Sequence, residues 1–378
     1  LSALKEDFIY KAENLEGAVF EVYAAEDIYT ADFQKDEEGN RILEYASGDL
    51  VAALTTDVNG EAHLENLPLG TYRVAETKAP DGYVLNESEQ TVTFAYVDQK
   101  TPVTAQAITF ENDRQKVEIS VVKKDAKTEA VVGGAVFGLY AKNNILAHGE
   151  VIAEADMLLG EAVTEADGKA VFALDIPFGE YYIRELKAPA GYVSSDEIIE
   201  VIAAYQGQDV KVVTLSSELQ NEPTTVSVKK TDLTTGVELS GATLTVLDED
   251  GRVLDTWKSV KGEEHIIEYL TAGQTYTLKE EFAPYGYLQA EEITFTVDDT
   301  AEIQKLEMKD DVPAGLLIIN KKGEFLDKVS LLERLGGWIA HLFEYVTGSL
   351  KDVTFEVYAL EDIKAADGES SDYYKKDE

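Results

Sequence analysis

One short pattern, met three times, limits what this 378-residue chain can fold into. YRVAETKAP runs from Tyr72 to Pro80, YYIRELKAP from Tyr181 to Pro189 and YTLKEEFAP from Tyr276 to Pro284, and each leads into a Gly-Tyr step at Gly82-Tyr83, Gly191-Tyr192 or Gly286-Tyr287. Four residues before each proline stands a glutamate: Glu76, Glu185 and Glu280. A pattern recurring at the spacing of a small domain predicts a series of such domains rather than one large core.

The segments around these repeats alternate with period two and are rich in Val, Thr, Ile and Tyr, as in VEISVVK, TTVSVKK, ITFTVDD and TVTFAYV. That is the pattern of antiparallel strands with one buried face. Between them lie turn signals, DVNG, EADG, DEDG, LPLG and IPFG, so an all-β chain of tandem β-sandwiches is expected. Each unit reads in one order. A strand ending in lysine leads to a small-residue segment (LEGAVFEVY, VGGAVFGLY, LSGATLTVL), then a variable insertion, a turn, the glutamate strand and a closing strand. The expected domains are 1–113, lacking its lysine strand, 114–222, 223–311, and the beginning of a fourth at 312–378. The boundaries are short, which favours stiff coupling between neighbours.

A longer repeat overlies the first. FEVYALEDIKAAD echoes FEVYAAEDIYTAD, pairing Phe355 with Phe20, Tyr345 with Tyr10 and Leu350 with Leu15. The lysine strand that domain one needs would therefore lie upstream of Leu1. No signal peptide, membrane span or C-terminal anchor pattern is visible, and the chain is expected to be part of a longer protein. One helical insertion is expected at 325–349, where Leu332, Leu335, Ile339, Leu342 and Val346 recur at spacings of three and four. Its charged residues are too frequent for a bilayer span.

Composition excludes several function classes. A formal net charge of −40 disfavours nucleic acid and anionic membranes as partners. The absence of cysteine removes disulfides and thiolate chemistry, and four scattered histidines give no metal centre. Asp57 and Asn59 in DVNGE have calcium-loop spacing without the remaining ligands, so a hairpin turn is expected there, and His63 stands alone. No metal or cofactor is expected.

The lysines are more informative. In domain two the inward positions run Val117, Ile119, Val121 and then Lys123; in domain three Val226, Val228 and then Lys230; in domain four Leu317, Ile319 and then Lys321. Alternation points each lysine into the core. Asp125 and Asp232 follow two residues later. On the closing strands, Asn112 follows Phe110, Asn221 follows Leu219 and Asp310 follows Met308 in the same register, with Asp311 beside Asp310. Unpaired, such buried groups cost several kcal/mol. One chemistry uses all three. Burial favours the neutral amine and the protonated glutamic acid. The amine attacks the Asn or Asp carbonyl while the acid shuttles protons to the departing ammonia or water, and an amide ties the strands.

The K-x-D strand, the G-A-x-F segment, the P-x-G-x-Y turn, the glutamate strand ending in A-P-x-G-Y and the closing Asn together resemble SpaA-type, or Cna protein B-type, domains, the isopeptide-forming modules of Gram-positive surface adhesins and pilins. The resemblance implies tandem Ig-like, prealbumin-like sandwiches. It implies the crosslink sets Lys123–Asn221 with catalytic Glu185, and Lys230–Asp310 with catalytic Glu280. Domain one keeps Glu76 and Asn112 without a lysine, and neither Lys5 nor Lys11 is assigned; Lys321 belongs to the unfinished fourth domain. The implied function is a structural stalk on a cell-wall-anchored surface protein, extracellular, whose partners are the neighbouring domains of the same long chain. The alternative is an adhesin that recognises host matrix or glycan through insertions at 24–50, 141–160 and 325–349. A turnover enzyme is not expected, because the chemistry consumes its own side chains.

Overall fold

The computed structural model describes residues 8–30, 35–101, 103–335, 338–363 and 374–378. The described residues are all-β. The chain divides into a compact unit of Leu1–Pro223 with Asp299–Ala301, and a second of Thr224–Asp298 with Glu302–Glu378.

In the first unit, domain two is a complete two-sheet sandwich. One sheet orders Leu158–Val163, Val136–Ala141, Gly179–Lys187 and Ile198–Ala203; the other places the opening strand Lys116–Asp125 between Lys169–Phe172 and the closing strand Val212–Asn221. The opening and closing strands run parallel, with Lys123 beside Leu219 and Asp125 beside Asn221. Val117, Ile119, Val121, Phe137, Leu139, Tyr181, Ile183 and Leu219 fill the core between the sheets. The alternation read from sequence is the physical reason: successive side chains of a strand point to opposite faces, so one face is buried throughout.

Domain one has a four-stranded sheet ordered Leu50–Thr55, Val19–Ala24, Gly70–Lys78 and Glu89–Phe94, and a short two-stranded ladder of Ile28–Tyr29 with Leu43–Tyr45. Among the described residues, 61–64 and 103–112, which match the two flanks of domain two's opening strand, form no strand. The DVNG turn is closed by Asp57, whose carboxylate accepts the N–H groups of Asn59 and Glu61 at 2.9 and 3.0 Å.

Domain three, in the second unit, repeats the sandwich. Thr225–Asp232 lies between His265–Glu268 and Gln304–Asp310, facing a sheet ordered Val253–Lys258, Thr243–Leu247, Thr275–Phe282 and Ile293–Thr296.

Two expectations for residues beyond 311 are overturned. The expected helix at 325–349 is a long antiparallel hairpin, Lys322–Leu335 with Trp338–Ser349. Leu335 pairs with Trp338 across Gly336-Gly337, a dipeptide with hairpin chemistry that also costs a helix about 1 kcal/mol per glycine. Trp338, Ile339, Phe343, Tyr345, Val346 and Thr347 add strand-favouring aromatic and β-branched residues to the second arm. Leu317, Ile319 and Lys321, expected to face a core, lie exposed in a segment that pairs with no strand among the described residues. Alternation buries a face only where a sheet exists to receive it.

Candidate crosslinking site

The glutamate strand presents its carboxylate from a fixed place in the ladder. Glu76 pairs with Phe20, Glu185 with Phe137 and Glu280 with Leu244, and in all three the register shifts by one residue beside that pair. The extra residue of a bulge re-aims the neighbouring side chain. The three glutamates are buried, 5% exposed at Glu76 and 1% at Glu280, with the Glu185 side chain also 1% exposed.

Each is held by a backbone donor that sequence reasoning missed. Asn86 N–H donates to Glu76 Oε2 at 2.7 Å, Ser195 N–H to Glu185 Oε2 at 2.9 Å and Ala290 N–H to Glu280 Oε2 at 2.7 Å. The donor stands ten residues after the glutamate every time. Its side chains differ because only the N–H acts, so the signal was the fixed length of the A-P-x-G-Y connection.

In domain two, Lys123, Glu185 and Asn221 meet in the core. Lys123 Nζ donates to Asn221 Oδ1 and lies 3.4 Å from Glu185 Oε1. Asn221 Nδ2 donates to both oxygens of Glu185, at 2.9 and 2.8 Å. Burial holds the Lys123 ammonium below its ordinary pKa, against the opposing pull of Glu185. Its backbone is seated by the DG turn: Lys123 N–H donates to Gly168 O at 2.8 Å. Gly168 has φ of +74°, and a Cβ there would come within 2.8 Å of Lys123 O, so glycine is required.

In domain three, Lys230 Nζ donates to Asp310 Oδ1 and lies 2.9 Å from Glu280 Oε1. Asp310 pairs beside Asp232 in the parallel ladder and is fully buried, which selects it over its exposed neighbour Asp311. Burial pushes its carboxyl up to about 6; Lys230 opposes the shift and Glu280 adds to it.

Domain one brings together Glu76 and Asn112, with Asn112 Nδ2 donating to Glu76 Oε2 at 2.6 Å and to Val84 O at 2.9 Å. Lys5 lies outside the described residues, and Lys11 and Lys321 are exposed.

The aspartates of the K-x-D motif are turn-holders, not members of the sets. Asp125 accepts the N–H groups of Lys127 and Thr128 at 2.7 and 2.9 Å and the hydroxyl of Tyr192 at 2.9 Å. That contact explains the tyrosine of A-P-x-G-Y. The tyrosine of P-x-G-x-Y closes its own turn: Tyr72 and Tyr181 donate to Pro68 O and Pro177 O at 2.7 and 2.6 Å.

Comparison with known proteins agrees with this architecture. The family model of the SpaA prealbumin-like fold domain matches residues 3–109, 117–217 and 224–312. Among solved structures, the chain is similar to the Bacillus anthracis TIE protein, with 27% identity and a TM-score of 0.50 over 79% of this chain and 48% of that one. The chain thus spans about half the length of that relative. It is also similar to BcpA, the major pilin subunit of Bacillus cereus (15% identity, TM-score 0.38, 79% of this chain and 95% of that one), and to a C-terminal fragment of the pilus adhesin SpaC from Lactobacillus rhamnosus GG (16%, 0.34, 54% and 100%). No curated protein matches. With well over half of its length matched in three tandem segments, the chain belongs to the SpaA family of prealbumin-like fold domains.

Proposed function

We propose that this chain is a load-bearing segment of an extracellular, cell-wall-attached protein, and that domains two and three are each closed by an amide formed once, without a separate enzyme. The observation that carries this reading is the seat of Asn221. Its Nδ2, the atom that must leave, rests on both oxygens of Glu185, while Oδ1 receives Lys123 Nζ. The neutral amine attacks Asn221 Cγ, Glu185 delivers a proton to Nδ2 and takes one back from Lys123 Nζ, the Cγ–Nδ2 bond breaks and ammonia departs. In domain three Lys230 attacks a protonated Asp310 and water departs, with Glu280 as the proton carrier. Both sets are held in contact inside a packed core, so the attack is unimolecular.

The topology gives such a bond a mechanical use. Tension enters domain two at the start of its opening strand and leaves at the end of its closing strand, and these two strands are parallel neighbours. A bond from Lys123 to Asn221 diverts the load past the whole chain between them. It also closes a loop spanning 98 positions in the unfolded state, worth about 4–5 kcal/mol by the same argument as a disulfide. A chain with no cysteine has no other covalent means to that end.

Intact mass of the purified chain tests this. A deficit of about 35 Da, about 17 for lost ammonia and about 18 for lost water, is expected, reduced to one loss by Glu185→Ala or by Glu280→Ala. The full theoretical mass would leave the two sets as buried polar networks and remove the chemical basis of the reading.

A further inference from the structure

The loop after each glutamate strand is fixed by consecutive backbone donors, and not all of them point inside their own domain. In domain two Val193 N–H donates to Glu222 O, at the domain's exit, and Ser195 N–H to Glu185 Oε2, both at 2.9 Å. Between them, Ser194 donates its N–H and its hydroxyl to the two oxygens of Asp299, at 2.8 and 2.5 Å. Asp299 lies well beyond the boundary of domain two, in the turn between Ile293–Thr296 and Gln304–Asp310, yet Asp299–Ala301 belong to the same compact unit as that domain.

Domain one repeats the arrangement. Val84 N–H donates to Asp113 O at 2.9 Å, Leu85 N–H to Gln208 O at 3.0 Å and Asn86 N–H to Glu76 Oε2 at 2.7 Å. Gln208 also lies beyond its domain's boundary, in the turn between Ile198–Ala203 and Val212–Asn221, the place that matches Asp299. Its side chain accepts the Ala79 N–H at 3.0 Å. The fully buried Gln115 braces that turn, its Nε2 donating to Gly207 O and Val210 O at 2.9 and 2.6 Å.

The order is the same in both. The first N–H is bound at the domain's exit, the second by a turn from further along the chain, and the third by the glutamate. Only the two soft dihedrals of Ser194 lie between its own N–H and that of Ser195, so holding the first limits where the second can point. Domain three holds the middle position from within. Leu288 N–H donates to Asp311 O at 2.8 Å and Ala290 N–H to Glu280 Oε2 at 2.7 Å, while Gln289 turns back and its Nε2 donates to Glu280 O.

We propose that Asp299 is a positioning residue for closure of domain two, holding Ser194 so that the Ser195 N–H stays on Glu185. Resting on the crosslinking reading above, Glu185 is then fully seated only once the chain beyond the domain has folded as far as Asp299. Glu185 must deliver a proton to Asn221 Nδ2 and take one back from Lys123 Nζ, and a carboxyl free to turn away from either is in place less often. In a chain that is made and folded from its N-terminus, the Lys123–Asn221 bond therefore forms after the downstream turn is in place.

The test uses the full chain recovered unfolded in urea before closure and refolded by dilution, with the Lys123–Asn221 and Lys230–Asp310 fragments followed by mass after proteolysis. Asp299→Ala should slow the loss of about 17 Da about tenfold, as removal of one hydrogen bond to a charged group implies, and leave the loss of about 18 Da at its own rate. Asp299→Asn keeps an oxygen for the Ser194 N–H and should restore most of the rate. Equal rates in Asp299→Ala and the unaltered chain overturn the proposal. So does a slowing of both losses, which would mean that Asp299 serves the fold of domain three alone, and so does Asp299→Asn as slow as Asp299→Ala. If domain two shows no loss in the unaltered chain, the crosslinking reading has failed and the seat is judged by hydrogen exchange. Exchange of the Ser195 amide about tenfold faster in Asp299→Ala supports it, and unchanged exchange sinks it.

Discussion

Domains two and three build the same buried site from matching strands and put different side chains opposite the lysine. In domain two the group facing the lysine is a neutral amide whose NH2 donates to the glutamate. In domain three it is a second acid, and the cavity holds one ammonium and two carboxyl groups. Two carboxylates sharing a buried site do not both ionise easily. Burial is the main cause of the raised Asp310 carboxyl, with Glu280 adding to it, and the proposed reaction needs that proton, because a carboxylate is a poor electrophile. A single Asn-to-Asp difference thus leaves the geometry in place and, under the proposed reaction, adds one proton to the reacting state.

The largest expected effect would break the comparison where the domains should agree. Glu185→Ala and Glu280→Ala each remove a tie, and the loops, spanning 98 and 80 positions, differ too little to matter in loop entropy. Each substitution should lower the melting temperature of its own domain by roughly 20 °C or more, read by calorimetry, as a loss of about 4–5 kcal/mol implies for domains of this size. A large drop in one domain and none in the other would mean that only one of them closes.

The next sharpens the comparison where the domains should differ. In domain two the proposed step only moves a proton between Lys123 and Glu185, so no net proton is taken up to reach the reacting set. In domain three Asp310 must be protonated as well. Above about 6 the resting set lacks that proton. Closure of domain three should therefore slow about tenfold per pH unit above about 6, while domain two holds its rate. The sign is the same for stability before closure. Because the folded pKa of Asp310 lies above its ordinary value of 3.8, the unfolded chain loses that proton first, and the unclosed domain weakens as pH rises from 3.8 through about 6. Chain recovered unfolded in urea, refolded by dilution at several pH values and quenched for mass would show both rates at once.

Asp310→Asn should convert domain three to the other kind. The loss becomes about 17 Da instead of about 18, and the pH dependence flattens. Asn221→Asp should transfer the dependence to domain two. If the profiles stay with the domain rather than the side chain, Asp310 is not the titrating group.

How much of this could be read beforehand follows from where information sits in a chain. Lys123, Glu185, Asn221, Lys230, Glu280 and Asp310 were legible because strand alternation fixes the face of a side chain, and a charge on an apolar face is conspicuous. Asn86, Ser195 and Ala290 were not, since a backbone N–H leaves no mark on residue identity. The hairpin at Lys322–Leu335 and Trp338–Ser349 was misread because its leucines also fall at helical spacings; Gly336-Gly337 was the stronger signal. The exposure of Leu317 and Lys321 was illegible for another reason. Burial is a property of the partner sheet as much as of the strand.

The smallest expected effect concerns the bracket around the site. Tyr192 donates to Asp125 at 2.9 Å, and in domain three Tyr287 is bonded to Asp232, whose carboxyl is pushed up by burial but held below its ordinary pKa overall by the Thr235 and Thr234 donors and Tyr287. Tyr192→Phe removes one donor from a carboxylate that keeps the N–H groups of Lys127 and Thr128, so a cost of about 1–2 kcal/mol is expected before closure. After closure the cost should fall, since Asn221 pairs with Asp125, Lys123 stands two residues before it on the same strand, and the amide would hold both strands there. The comparison is made in one chain by melting Tyr192→Phe with and without Glu185→Ala. A penalty of the same size in both backgrounds would show that the tie and the turn act independently; a smaller penalty in the closed protein would show that the covalent bond already does the work of the hydrogen bond beside it.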